Sequence, residues 1–347
     1  MADDTLDCDA RIKLSIGSKA NGRTDGQLSF PRGLAFDHHR GVLFVADSEN
    51  HRVQVFSCDD GSLVSKFGEE GSQPGQFKYP WDVAIDHDHD RILIAEYSNH
   101  RVQSWSLSEQ LFVSCIGHRG SGDLEFDNPE GIAIDKHHHR IVIADTDHHR
   151  LVFLSSIDLS FLFSVGKQGS QPGEFLYPSG IAIDEDRHRI IVTDTSNHRM
   201  QVLSSIDGSF LFEFGLKGDQ QGHPLGLCIA NYGRILVADH YNNRLQSFTH
   251  EGHHISSFDC GHEYPHALAF DEHRGLIAFS SRTQVHVIGA NQWLADTFTW
   301  RPDRHRYASS WMKQAVSTMT MIRSVVDGCS AMSMIPNELL FEIFSHL

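Results

Sequence analysis

Short apolar segments separated by polar turns recur along most of this chain. Gly33-Leu34-Ala35-Phe36 and Val42-Leu43-Phe44-Val45-Ala46 are rich in apolar and β-branched residues, and a polar turn, Asp37-His38-His39-Arg40-Gly41, separates them. This is the pattern of two antiparallel strands. Val53 to Phe56 adds a third strand, and Leu63 to Phe67 a fourth that ends at Gly68. The unit repeats six times, opening at Pro31, Pro80, Pro129, Pro178, Pro224 and Pro265, with steps of 49, 49, 49, 46 and 41 residues. A period of this length marks stacked supersecondary units. A four-stranded sheet with two apolar faces cannot bury them alone, and radial packing of six such sheets leaves only short, protected edges. The expected fold is all-β, a six-bladed β-propeller of four-stranded antiparallel blades over residues 11–299, followed by a short α-helical tail over 300–347. Residues 11–17 look like the fourth strand of the other units and could close the ring, in competition with Trp293 to Phe298, which stands where the last blade's own fourth strand would fall.

Within the repeat, Asp37, Asp86, Asp135, Asp184 and Asp271 stand six residues after their prolines, with Ala230 in the fifth unit. Asp47, Glu96, Asp145, Asp194 and Asp239 follow, each five residues before Arg52, Arg101, Arg150, Arg199 or Arg244, whereas the sixth unit has Ser280 and Val285. Acid and arginine recurring in five blades suit a task that every blade shares, such as satisfying backbone groups or pairing charge. The Asp37-type residues suit turn formation, since Asp bonds backbone two residues on.

The fourth unit, Pro178-Ser179-Gly180-Ile181-Ala182-Ile183-Asp184 then Ile191-Val192-Thr193-Asp194-Thr195-Ser196-Asn197-His198-Arg199-Met200-Gln201-Val202, carries a resemblance that spans residues 30–289. The chain resembles NHL-repeat proteins. That resemblance implies a six-bladed propeller that binds proteins or RNA, with a minority of enzymes. In the NHL-type lyase that processes amidated peptides, zinc is held by histidines placed directly after the opening proline in three blades. The matching positions here are Arg32, Trp81, Glu130, Ser179, Leu225 and His266, so only one of them fits.

Those six positions differ from blade to blade while the scaffold repeats, which is where function is expected. With Glu49, Tyr97, Asp147 and Tyr241 from the loops between second and third strands, they should ring one mouth of the channel and hold a peptide or protein client. Arg, Trp and Tyr are favoured at binding hot spots. Trp81 could equally pack between blades. The histidines of the first turns (His38, His39, His87, His89, His137, His138, His139, His188, His273) read as solvated hairpin tips. Equivalent turns on different blades are expected to lie far apart, and no metal, cofactor or catalytic constellation is expected.

The chain carries a net charge of −16, which argues against broad attraction to phosphate backbones or anionic lipid. Single-stranded RNA binding and a metal-dependent hydrolase or lyase remain as alternatives. With 25 histidines, surface charge should depend on pH. Six scattered cysteines and an acidic start, Met1-Ala2-Asp3-Asp4, fit neither a disulfide framework nor a secretory signal. Cytoplasm or nucleus is the expected location, with no membrane partner.

Beyond Trp300 the periodicity becomes helical, with Met312, Ala315, Val316, Met319, Ile322 and Val326 at three- and four-residue steps. A second helix starts at Pro336 and stacks Leu339, Leu340, Ile343, Phe344 and Leu347 on one side. Residues 335–347, from Ile335 on, resemble the opening helix of an F-box, which implies docking on a Skp-type adaptor of a ubiquitin ligase. Packing of the tail on the propeller and an oligomer contact are the other readings.

Overall fold

The computed structural model describes residues 12–215, 222–261 and 263–290. The expected helical tail, with its F-box-like segment 335–347, and the strand candidate Trp293 to Phe298 lie outside the described residues. Six antiparallel four-stranded sheets follow one another along the chain. Blade 1 comprises Pro31–Asp37, Val42–Asp47, Arg52–Ser57 and Leu63–Phe67, hydrogen-bonded in that order. Blades 2 to 5 repeat this meander. Blade 6 supplies three strands of its own, Leu268–Asp271, Leu276–Ser280 and Gln284–Gly289, and its fourth is Ile12–Gly17, antiparallel to Gln284–Gly289. The two ends of the propeller sequence thus share one sheet.

Burial follows strand position. Second strands such as Val42–Asp47 and Arg91–Glu96 are buried on both faces, whereas fourth strands such as Leu63–Phe67 alternate between half-buried and exposed positions at the rim. Six apolar clusters fill the six spaces between neighbouring blades. One joins Phe44, Val53 and Phe67 of blade 1 to Val83, Ile94 and Trp105 of blade 2, and another joins Ile16 and Val285 of blade 6 to Leu43 and Phe56 of blade 1. Leu28, Phe77, Phe126 and Phe175, each three residues before an opening proline, are fully buried. They anchor the incoming loops of four blades.

The repeated acids and arginines form one clamp per blade. In blade 2, Arg101 Nε donates to Glu96 Oε1 at 2.5 Å, while its terminal nitrogens donate to the carbonyls of Ser72 (2.9 Å), Gln73 (3.1 Å) and Gln76 (2.8 Å). Glu96 also accepts from Asn99 Nδ2, Gln103 Nε2 and the backbone N–H of Lys78. The carboxylate is thereby saturated, and the loop entering the blade is fixed to the blade it enters. Equivalent Arg Nε to Asp bonds of 2.8 Å occur at Arg52–Asp47, Arg150–Asp145, Arg199–Asp194 and Arg244–Asp239. Blade 6 lacks the clamp, and there Ser280 Oγ accepts the N–H of Ala267 instead.

Arg101→Leu leaves Glu96 buried without its countercharge and should cost about 3–5 kcal/mol of stability. Arg274→Leu, which breaks a pair with the largely exposed Asp59, should cost within about 1 kcal/mol. Urea unfolding midpoints of the two variants check the contrast.

Candidate functional site

The innermost strands run side by side around the axis. They approach so closely that a Cβ added to Gly131 would stand 2.1 Å from Ser179 O, and one added to Gly180 2.3 Å from Leu225 O. Near the proline end, adjacent innermost strands are therefore packed backbone to backbone.

At the proline end, the ladder between first and second strands slips in five blades, between Pro31 and Gly33, Pro80 and Asp82, Pro129 and Ile132, Pro178 and Ile181, and Pro224 and Leu227. Arg32, Trp81, Glu130, Ser179 and Leu225 fall in these bulges. A bulged residue is released from the ladder and can re-aim its side chain. This is why the position varies while its neighbours repeat. The second-to-third-strand loops are short 3₁₀ turns, such as Ser48–Asn50, Thr146–His148 and His240–Asn242, capped by a residue in the left-handed conformation.

The mouth encloses a cavity of about 460 Å³ lined by nine of the ten residues singled out from the sequence: Arg32, Trp81, Tyr97, Glu130, Asp147, Ser179, Leu225, Tyr241 and His266. Glu49 lies outside the lining; burial lowers the pKa of Arg32, and the charges of Glu130 and then Glu49 oppose that shift. The Arg32 guanidinium lies 4.0 Å above the Trp81 ring, which stacks on Tyr97 at 4.6 Å, and its Nη1 donates to His266 Nε2 at 2.5 Å. His266 is therefore a neutral acceptor. Burial, with Arg32 beside it, holds its pKa well below the usual value. Burial also lowers His240, and takes His223 to about 4. Glu130 accepts from Ser179 Oγ at 2.5 Å, and burial raises its carboxyl to about 7 against the opposing pull of that bond and of Arg32.

Three groups of lining residues escaped the sequence reading. Phe30, Tyr177 and Tyr264 each precede an opening proline and adopt φ of 48°, 55° and 49°. An aromatic before the repeated proline was a legible signal. His223, His240 and Arg282 also line the mouth, and Arg282 lies 4.5 Å over the Tyr264 ring. Just below the mouth, Asp82 stands where four other blades have Gly33, Gly131, Gly180 and Gly226. Its carboxylate accepts from the N–H of Val83 (2.9 Å) and, across the blade boundary, from that of Ile132 (3.0 Å). Burial raises it to about 7.

The histidine turns correct one expectation. Equivalent turns on neighbouring blades are not far apart, because the innermost strands that lead into them are nearest neighbours at the axis. The rings of His38 and His273 lie 4.3 Å apart, and those of His39 and His87 4.6 Å.

Four segments, residues 28–56, 77–104, 175–203 and 222–248, match the NHL repeat family. The chain carries NHL repeats. A comparison with curated protein sequences finds no match. Among solved structures, the NHL propeller is similar to a streptogramin B lyase (TM-score 0.58, 15% identity, covering 82% of this chain and 89% of that one). It is also similar to a gluconolactonase from Xanthomonas campestris (TM-score 0.61, 15% identity, covering 80% and 91%) and a virginiamycin B lyase from Staphylococcus aureus (TM-score 0.57, 13% identity, covering 79% and 98%). At these identities the likeness concerns the fold alone. Among the described residues, no helix is long and apolar enough to cross a membrane.

Glu130 gives the NHL mouth a pH signature. Its folded pKa of about 7 exceeds its ordinary value of 4.5, so between these values the folded chain keeps a proton that the unfolded chain has released. Stability from this group is full below the lower value and is lost as pH rises through the upper one. Glu130→Gln should match the parent near the lower value and exceed it above the upper, by on the order of 3 kcal/mol. Urea unfolding of both proteins across this range checks it.

Proposed function

We propose that the propeller mouth holds an extended segment of a protein client and that the chain acts as an interaction scaffold. The observation that carries this reading is the stack of Arg32 on Trp81 on Tyr97 inside the open cavity, flanked by Tyr177 and Tyr241, whose side chains are large, apolar and exposed. Rigid aromatic surface beside a preorganised guanidinium is the composition of a binding hot spot. Both signs of charge are present, with Arg32, Arg282, Glu130 and Asp147 all in the lining, which suits the mixed polarity of a peptide better than a phosphate backbone. The F-box resemblance of residues 335–347 supports a further role in which the client is delivered to a ubiquitin ligase through a Skp-type adaptor.

The reading is tested by capturing clients from cells with the full chain and with Trp81→Ala and Tyr241→Ala variants, followed by affinity measurement on the captured segment. Loss of Trp81 should cost at least about 2 kcal/mol, roughly 30-fold in affinity. Equal capture by parent and variants overturns the mouth as the site. Retention of single-stranded RNA at low salt, weakened by Arg32→Ala, would favour the RNA alternative. Adaptor co-purifying equally with the full chain and with a chain ending at Trp300 removes the ligase role.

A further inference from the structure

Each innermost strand spans seven residues from the mouth to its turn in five blades, for example Pro31–Asp37, about 20 Å of extended chain. At that opposite end the turns of three consecutive blades meet. Blade 1 brings His38 and His39, blade 2 brings His87, and blade 6 brings His273. Ring centroids are 4.0 Å apart for His38 and His39, 4.6 Å for His39 and His87, 5.4 Å for His38 and His87, and 4.3 Å for His38 and His273. One nitrogen from each of His38, His39 and His87 lies within 4.8 Å of the other two.

The turn that presents two of these rings is rigid. Asp37 Oδ1 accepts the N–H of His39 (3.0 Å) and of Arg40 (3.2 Å), and its other oxygen faces Arg40 Nη1. Among the described residues no hydrogen bond uses a ring nitrogen of His38 or His39, and the nearest acid to His87 Nε2 is this occupied Asp37 carboxylate, at 3.8 Å. Burial and the neighbouring imidazoles lower the pKa of both His38 and His87, which favours the neutral ring whose lone pair can bind a metal. A second convergence of histidine turns shows what is special here. There the rings of His137 and His138 approach His188 at 5.3 and 5.5 Å, but His138 Nδ1 is already bonded to Asp135 Oδ2 at 2.8 Å. Those nitrogens do not form a free set of three.

We propose that His38, His39 and His87 bind a divalent transition-metal ion, with His273 or water at the fourth position. Three imidazoles without a carboxylate or thiolate select ions of the zinc, nickel and copper group over magnesium or calcium. Nitrogens around a tetrahedral zinc stand about 3.3 Å apart, and small side-chain rotations close the remaining distance. With His273 engaged, the ion ties blades 6, 1 and 2 together beside the sheet in which the ring is closed. It makes no use of the mouth, so it stands or falls independently of the client-binding role.

The test titrates Co²⁺ into chelator-stripped full-length protein, reads visible absorption and stoichiometry, then displaces Co²⁺ with Zn²⁺. The expected result is one tight equivalent with the intense bands of a four-coordinate nitrogen site, lost on adding Zn²⁺, and a higher melting temperature with Zn²⁺ than without. His39→Gln changes an exposed side chain and leaves folding intact, so it should weaken binding by about tenfold or more. His87→Gln should do the same, whereas the pair His137→Gln and His188→Gln should leave the tight equivalent unchanged. Unaltered binding in both His39→Gln and His87→Gln, or its loss in the His137 and His188 pair alone, overturns the assignment.

Discussion

Every blade of this molecule has two apolar faces, and water cannot be tolerated on either. The second strands, buried on both faces, make each sheet a slab that needs a neighbour on both sides. A linear stack would leave its two terminal slabs uncovered. Closing six slabs into a ring covers all of them, but only if the last sheet is completed. Ile12–Gly17 does this by pairing with Gln284–Gly289, and Ile16 then enters the cluster between blades 6 and 1. The ring is thereby closed by backbone hydrogen bonds and apolar packing together, at the one place where chain connectivity does not already hold it.

Apolar packing is not directional enough to fix the loops that pass between blades, and the Asp/Glu–Arg clamps supply the direction. Each buried carboxylate is satisfied by an arginine, side-chain amides or imidazoles, and a backbone N–H of the incoming loop. The loop is held in register with the proline that opens the next innermost strand. The bulge that follows the proline can then vary in sequence at no cost to the ladder. Constancy in the clamp permits diversity at Arg32, Trp81, Glu130, Ser179 and Leu225, and those side chains make up much of the mouth. Asp82 extends this diversity one residue deeper, where it trades glycine's close fit for two backbone hydrogen bonds.

The blade count, the clamps and nine residues of the mouth lining were legible because each is tied to the repeat. A proline every 41 to 49 residues and an acid five residues before an arginine are local patterns that survive translation into structure. The aromatic residues before the prolines were equally regular, but attention to the position after the proline hid them. Asp82 was legible only as a departure from glycine, a signal that becomes visible once the bulge geometry explains why glycine is there. His223 precedes its opening proline as Phe30, Tyr177 and Tyr264 do, and His240 follows its clamp acid as Tyr97 does, so the repeat announced both positions. Residues 300–347, where the helical reading falls, lie outside the described residues.

The histidine turns went unread for a reason built into rings. The adjacent His38 and His39 supply only two rings by themselves, and in sequence His38 and His87 are a whole repeat apart. Around an axis, however, equivalent positions of adjacent blades are each other's neighbours, and the distance between them shrinks towards the centre. The innermost turns are therefore where one repeat's side chains most readily meet the next repeat's. The same geometry governs charge. Histidines that converge on the axis lose water and repel one another when protonated, and burial lowers His38, His87, His223, His240 and His266 alike. The large pH response implied by 25 histidines is consequently weakened at both ends of the channel, where partners or ions would meet neutral imidazoles at neutral pH.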